Sequence, residues 1–365
     1  MILMLEIILV SYLIFLISLI IGWLRVEKHT QSSDSPALFY SIIIPFRNEA
    51  EHLGALISSL KSIDFPATNF EVILVNDHST DDFLNILTDL PSNFITINAD
   101  GQGKKSALAT GIRKSKGEVI VTTDADCKIP EGWLSALQPY FEKQKAKLVY
   151  GPVAFDQRAS FFNKVQQVEF ASLIGSGAAT LQWGLPTMCN GANLAFLKSA
   201  FLEVGGYNDN IELPSGDDEF LMHKIYASAP EKVYYMKNKN AVVSTKPSGN
   251  WKIFVNQRKR WASKWKSYKS IKNSLLAIIV ALFNLSIIAS TVVLIDKFQL
   301  SLVTLLVLKI VLEFIFLKSV LNSLTRKLSI TAFLFLQICY PYYVVLFGLS
   351  ANFGSYSWKG RKHQL

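Results

Sequence analysis

Two hydrophobic regimes divide this chain: unbroken apolar blocks lie toward both ends, and between them short apolar runs alternate with amphipathic ones. The first block, Ile2 to Leu24, contains a single acid, Glu6, and is long enough to span a bilayer. Blocks from Ser274 to Ile295 and Leu300 to Leu321 predict a second and third span, and Leu328 to Ser350 a fourth segment, full or re-entrant. Pro341 predicts a kink or break in that last segment. No Lys or Arg precedes the first block and no small-x-small site follows it, so it reads as an uncleaved anchor. Arg25 and Lys28 come directly after it, which places the next stretch on the cytoplasmic side of a plasma or inner membrane.

The central stretch begins with Ser41 to Pro45, a short buried strand, then a helix through Leu53, Leu56, Ile57 and Leu60. Glu71 to Val75 is a second strand ending at Asn76-Asp77, and Ser79-Thr80-Asp81-Asp82 predicts a helix start with Ser79 as its cap. Phe94 to Asn98 predicts a strand, Lys105 to Lys116 a helix, and Glu118 to Thr122 a strand ending just before Asp124. Such alternation predicts an α/β domain on a largely parallel sheet, with ligands at the carboxyl ends of its strands. Four polar groups fall at those ends: Asn48 with Glu49, Asp77, Gly103-Lys104-Lys105, and Asp124 with Asp126. Asp77 suits the imide N–H of a uracil-like base, and Lys104 or Lys105 suits a phosphate.

Composition strengthens the membrane reading. Half of the 365 residues are hydrophobic, mean hydropathy is +0.28 and only 18% are charged, more apolar than a soluble domain normally is. The net charge of +9 is concentrated: eight basic residues and no acid lie between Trp251 and Lys272, and without them the charge is close to +1. Trp251, Phe254, Trp261, Trp265 and Tyr268 interleave with them, as in a helix lying in the headgroup layer, which favours a lipid surface over nucleic acid. Three cysteines without CxxC spacing fit a reducing compartment and offer no zinc site. The expected organisation is an anchor at 1–24, a catalytic domain at 36–250, a basic aromatic interfacial segment at 251–273, a membrane region at 274–350 and a basic tail at 351–365.

The candidate chemistry lies in Asp124-Ala125-Asp126, Gly216-Asp217-Asp218-Glu219 and Gln257-Arg258-Lys259-Arg260-Trp261. Carboxylates two apart can share a hard divalent cation, Mn²⁺ or Mg²⁺; a further carboxylate can act as a base; a basic aromatic box can hold a phosphate leaving group. Singly, each has a plainer meaning: a loop, an acidic helix start, an interfacial patch. Together they meet the needs of sugar transfer from a nucleotide donor. Lys309 and Glu313, four apart in the third span, form either a functional polar site or a pair whose charges neutralise each other.

These motifs, in this order, resemble the family 2 glycosyltransferases, inverting enzymes of GT-A fold, and their membrane-bound branch of cellulose, chitin and hyaluronan synthases and ceramide glucosyltransferase. Pro45-Phe46-Arg47-Asn48-Glu49 matches the PxxNE element, Val75 to Ser79 the nucleoside-holding VDDGS element, Asp124-Ala125-Asp126 the DxD metal motif, and Gly191-Ala192-Asn193 the acceptor-side GxN element. Asp217-Asp218 stands where the family has Thr-Glu-Asp, and Gln257, Arg260 and Trp261 match QxxRW. The chain departs at Asn76 and at Asp217, neither of which removes the essential carboxylate. The resemblance implies Asp218 as general base, Asp124 and Asp126 as metal ligands, and donor contacts from Pro45, Asn48, Glu49, Asp77, Lys104, Lys105, Asp124, Gln257, Arg260 and Trp261. It implies acceptor-side roles for Gly191, Asn193 and Asp217, and UDP as the nucleotide. Three segments after the domain are few for a channel, which favours one sugar passed to a lipid or lipid-linked acceptor over a processive polysaccharide synthase. A non-catalytic nucleotide-sugar-binding membrane protein is the reading from another class, and the short Gly101-Gln102-Gly103-Lys104 run is a weak pointer to a nucleotidyltransferase.

Overall fold

A computed structural model describes residues 1–29, 37–157, 160–210, 216–263, 271–350, 355–358 and 361–364. Four parallel strands carry the domain: β1 (Tyr40–Phe46), β2 (Phe70–Asn76), β3 (Phe94–Asn98) and β4 (Val119–Thr122), in spatial order β3-β2-β1-β4. Every residue of β1, β2 and β4 is buried, as their unbroken Ile/Val/Leu runs require of parallel strands covered on both faces. Helices α2 (Ala50–Lys61) and α3 (Lys104–Lys114) supply crossovers, followed by α4 (Trp133–Glu142). The sheet continues through β7 (Leu194–Leu197), antiparallel to both neighbours, then β5 (Leu148–Tyr150) and β8 (Val233–Tyr235). A two-stranded sheet pairs β6 (Val153–Phe155) with β9 (Val243–Thr245), and α6 (Lys198–Glu203) and α7 (Glu219–Ser228) complete the domain.

Pro45 does not break β1. Phe46 O accepts from Asp77 N on the β2 side, so the nitrogen of Pro45 faces the β4 side, where pairing has already stopped at Ile43. The helix expected to start at Ser79 is absent. Ser79 Oγ accepts from Asn48 N at 3.0 Å and Asp81 Oδ2 from Ala50 N at 2.7 Å, so these side chains serve the neighbouring turn and the start of α2. Only a single 3₁₀ turn, Leu84–Ile86, follows.

Helices α1 (Ile2–Arg25), α9 (Ile271–Asp296), α10 (Leu300–Ser323) and α11 (Ile330–Ser350) are long and apolar enough to cross a membrane. Pro341 is accommodated inside α11. The domain meets this bundle through α5 (Phe161–Leu181), which packs on α1, α10 and α11. Small residues permit that approach: a Cβ at Gly22 would lie 2.6 Å from Ala179 O, and one at Gly175 2.5 Å from a methyl of Val320. Gly22→Val is therefore expected to cost about 1–3 kcal/mol as α1 is forced off α5, a loss that thermal unfolding in detergent would register. Lys309 and Glu313 pair at 3.0 Å, Gln337 bonds to both, and Tyr12 donates to Glu313 at 2.8 Å. Side chains from α1, α10 and α11 thus close the pair on itself, which accounts for tolerated charge within an apolar bundle.

The basic aromatic segment begins as helix α8 (Trp251–Ser263); Lys264, Trp265, Lys266, Tyr268 and Lys269 lie outside the described residues. Helix α11 runs beside α5: Phe335 contacts Phe161 with ring centroids 5.4 Å apart, and eight residues later Tyr343 donates to Glu169 at 3.0 Å. A short antiparallel pair, β10 (Ser355–Trp358) and β11 (Arg361–Gln364), follows and touches α8.

Candidate active site

The carboxyl ends of β1, β2 and β4 open onto one cavity of about 650 Å³. The antiparallel β7 enters the sheet at the same edge, with Leu194 opposite Thr122, so the Gly191–Asn193 turn lies beside the DxD loop. Thr122 Oγ1 fastens that turn by donating to Gly191 O at 2.8 Å. Pro45, Glu49, Asp77, Lys104, Asp124 and Asp126 line the strand-end side of the cavity, with Gly191, Asp217 and Asp218 beside them. Gln257, Arg260 and Trp261 reach it from α8.

Three expected site residues lie off its wall. Asn48 adopts φ +51° and accepts from Thr80 N at 2.8 Å, shaping the turn after β1. Lys105 is buried with its ammonium 5.5 Å from the centroid of the Phe220 ring. Asn193 is buried and spends its amide on Trp133 Nε1, Pro152 O and Ala241 O, each at 2.9 Å, which locks the turn.

Lys104 faces carboxylates. Its ammonium lies 2.8 Å from Asp124 Oδ1 and 3.0 Å from Asp217 Oδ2. Burial works against its charge, but Asp124, Asp217 and Asp218 together outweigh burial and hold the ammonium well above the usual lysine range. Gly103, at φ +96°, turns the chain so that its N–H donates to Asp77 Oδ1 at 2.8 Å. Asp218 Oδ1 caps α7 by accepting from Glu219 N at 2.8 Å, and its Oδ2 accepts from Gly191 N at 3.0 Å. The acidic run is a helix start and a cavity wall at once. A Cβ on Gly191 would crowd Asp217 Oδ2 at 3.2 Å, so only glycine leaves this corner uncrowded.

Glu169, on α5, has a sequence signal only in hindsight: it is an acid in a mostly apolar helix, and its partner is 89 residues away. Arg258 Nε donates to it at 2.9 Å and Nη2 completes a two-pronged pair, both side chains being almost wholly buried. The guanidinium also lies against Phe254 and Trp261, 4.4 and 4.3 Å from their ring centroids. This anchor fixes the face of α8 that carries Gln257, Arg260 and Trp261 to the cavity.

Among the described residues no group of three or more His, Cys, Asp or Glu side chains forms a metal cage. Burial, then Asp126 and Asp124, push the Cys127 thiol well above its usual range, so no thiolate is on offer beside the DxD. Asp124 and Asp126 line the cavity, and their carboxylates are hard oxygen donors of the kind that would suit Mn²⁺ or Mg²⁺.

Residues 41–205 match the family model described as Glycosyl transferase family 2. The chain is 29% identical over 178 residues to the poly-beta-1,6-N-acetyl-D-glucosamine synthase of Staphylococcus epidermidis, covering 47% of this chain and 42% of that protein. To the beta-monoglucosyldiacylglycerol synthase of a Nostoc species it is 25% identical over 205 residues, 54% of this chain and 44% of the other. The alignments thus span less than half the length of these relatives. Among solved structures, the mannosyltransferase PcManGT from Pyrobaculum calidifontis, in complex with GDP-Man and Mn²⁺, aligns over 96% of this chain and 99% of that one, with TM-score 0.56 and 16% identity. That is a likeness of fold, and the fold is GT-A.

Proposed function

We propose that this chain, which carries a glycosyl transferase family 2 domain over residues 41–205, moves one sugar from a nucleoside-diphosphate donor, a UDP-sugar, to a hydroxyl of a lipid or lipid-linked acceptor. The observation that carries the reading is the two-sided cavity. Carboxylates and Lys104 line its strand-end wall; Phe170 and Leu173 of α5, with Met188, Ile253 and Trp261, line an apolar wall beside the helix that meets the membrane bundle. A sugar diphosphate needs the first wall only, whereas the second suits an acceptor with an apolar part. The names of the two relatives span a polysaccharide and a glycolipid product, and PcManGT was solved with GDP-Man and Mn²⁺.

In this reading Asp218 takes the proton from the acceptor hydroxyl as its oxygen attacks the anomeric carbon; the bond to the diphosphate oxygen breaks, its electron pair leaves with the diphosphate, and the carbon inverts. Two backbone N–H groups hold the Asp218 carboxylate in place. Asp124 and Asp126 would hold a Mn²⁺ or Mg²⁺ ion, which when bound supplies Lewis-acid stabilisation to the departing diphosphate. Arg260 adds a fixed positive charge to the same cavity.

Nucleotide release by the detergent-purified chain from a panel of UDP- and GDP-sugars, with Mn²⁺ or Mg²⁺ and a membrane lipid extract, tests this. Release that EDTA abolishes and Mn²⁺ restores, with one sugar per product lipid, is expected. A ladder of sugars would turn the reading to a polysaccharide synthase, and donor binding without release to a silent binding protein.

The domain faces the cytoplasm in this proposal, and the tail stays with it, because α11 lies along α5 and the following strand β10 touches α8. A cysteine placed at Lys362 should stay unlabelled by an impermeant thiol reagent added outside sealed cells. Labelling comparable to that of an extracellular control site would instead mean that α11 crosses fully.

A further inference from the structure

We infer that Lys104 is the internal counter-cation of the site: bound to Asp124 and Asp217, its ammonium occupies a position that a divalent cation needs, so the cation binds Asp124 only by displacing it. The inference rests on the reading of Asp124 and Asp126 as cation ligands and goes beyond it, since Lys104 is otherwise expected to meet a donor phosphate.

The placement of Lys104 is built into the fold. It is the first residue of α3, and the preceding Gly103, at φ +96°, is tied to Asp77 through its N–H. The two residues therefore touch three acidic motifs that lie far apart in sequence: Asp77 through Gly103, and Asp124 and Asp217 through Lys104. An ammonium donates three hydrogen bonds and accepts none, so contacts of 2.8 and 3.0 Å commit it to both carboxylates. Without that charge Asp124 and Asp217 would face each other as like charges across a partly desolvated cleft. A divalent cation on Asp124 Oδ1 would sit within about 4 Å of the ammonium, where two positive centres repel. Lys104 must then give up Asp124, and a diphosphate entering the same cavity is an anion to which it can turn.

Mn²⁺ binding by the full detergent-solubilised chain, with no nucleotide present and free Mn²⁺ followed by electron paramagnetic resonance, reads this directly. Lys104→Met should bind Mn²⁺ at least about fivefold more tightly than the parent, since the parent must first break the pair of unit charges formed by Lys104 and Asp124, which is worth that much even at the dielectric of water and about 4 Å between charge centres. Lys104→Arg keeps the charge and should stay near the parent. Asp126→Asn should abolish binding in each background, which assigns the signal to this site. Thermal unfolding checks the fold; if Lys104→Met does not fold, Lys104→Gln carries the same expectation. Equal or weaker Mn²⁺ binding by the uncharged variant overturns the proposal alone. Absence of Mn²⁺ binding in every variant removes the reading of Asp124 and Asp126 as ligands, and the counter-cation with it.

Discussion

Asp218→Asn is expected to lower turnover by about 10²–10⁴-fold, the usual contribution of a positioned general base. The substitution is nearly isosteric, and asparagine is as good a helix cap as aspartate, so the bond from Glu219 N to Oδ1 survives. The second contact does not: an amide nitrogen at Oδ2 would confront Gly191 N–H, donor against donor. That mismatch should cost about 1 kcal/mol of stability, small beside the kinetic effect. Donor KM should barely move, because in the proposed mechanism Asp218 acts on the acceptor proton. A rise confined to KM with kcat intact would place Asp218 in donor binding and return the base to another carboxylate. Asp217→Asn is the useful contrast. It removes a partner of Lys104, so it should disturb cation and donor affinity more than the proton transfer.

The largest structural effect is expected at Glu169. Glu169→Ala leaves the Arg258 guanidinium buried without its counter-ion, which should cost about 3–5 kcal/mol. A domain holds only about 5–15 kcal/mol in all, so this is a large fraction. Tyr343 loses its acceptor as well, which weakens the attachment of α11. Activity should fall with stability, since the same pair sets the face of α8 that bears Gln257, Arg260 and Trp261. The double variant Glu169→Leu with Arg258→Met should regain most of the stability, because removing both charges leaves none unpaired. Thermal unfolding in detergent measures both. A loss below about 1 kcal/mol for the single variant would mean that water reaches the pair.

Much of the scaffold was legible because burial on both faces of a parallel sheet demands continuous apolar runs. Ser41 to Pro45, Glu71 to Val75 and Glu118 to Thr122 have that form, and each forms a strand close to the bounds its pattern predicts. The four long apolar blocks were equally plain, since bilayer thickness sets their length. Local polar signals served less well. Ser79 and Asp82 have the spacing of a helix start, yet the turn after β1 and the start of α2 claim Ser79 and, two residues on, Asp81, a competition between segments that a local rule does not weigh. Asn193 lies in a motif but is used entirely in fastening a turn, while Glu169 lies in no motif and holds a wall of the cavity.

Short-range chemistry, then, was determined by sequence alone: which segments are strands, which are long and apolar enough to cross a bilayer, and which loops carry carboxylates, since each follows from side-chain polarity along the chain. Tertiary structure decided what those carboxylates face. Lys104 meets Asp124 and Asp217, Asp218 meets Gly191, and Arg258 meets Glu169, across sequence separations that no periodicity spans. The physical reason is desolvation. A buried charge must find an opposite charge or an N–H wherever the packed chain supplies one, and only the folded arrangement specifies where that is.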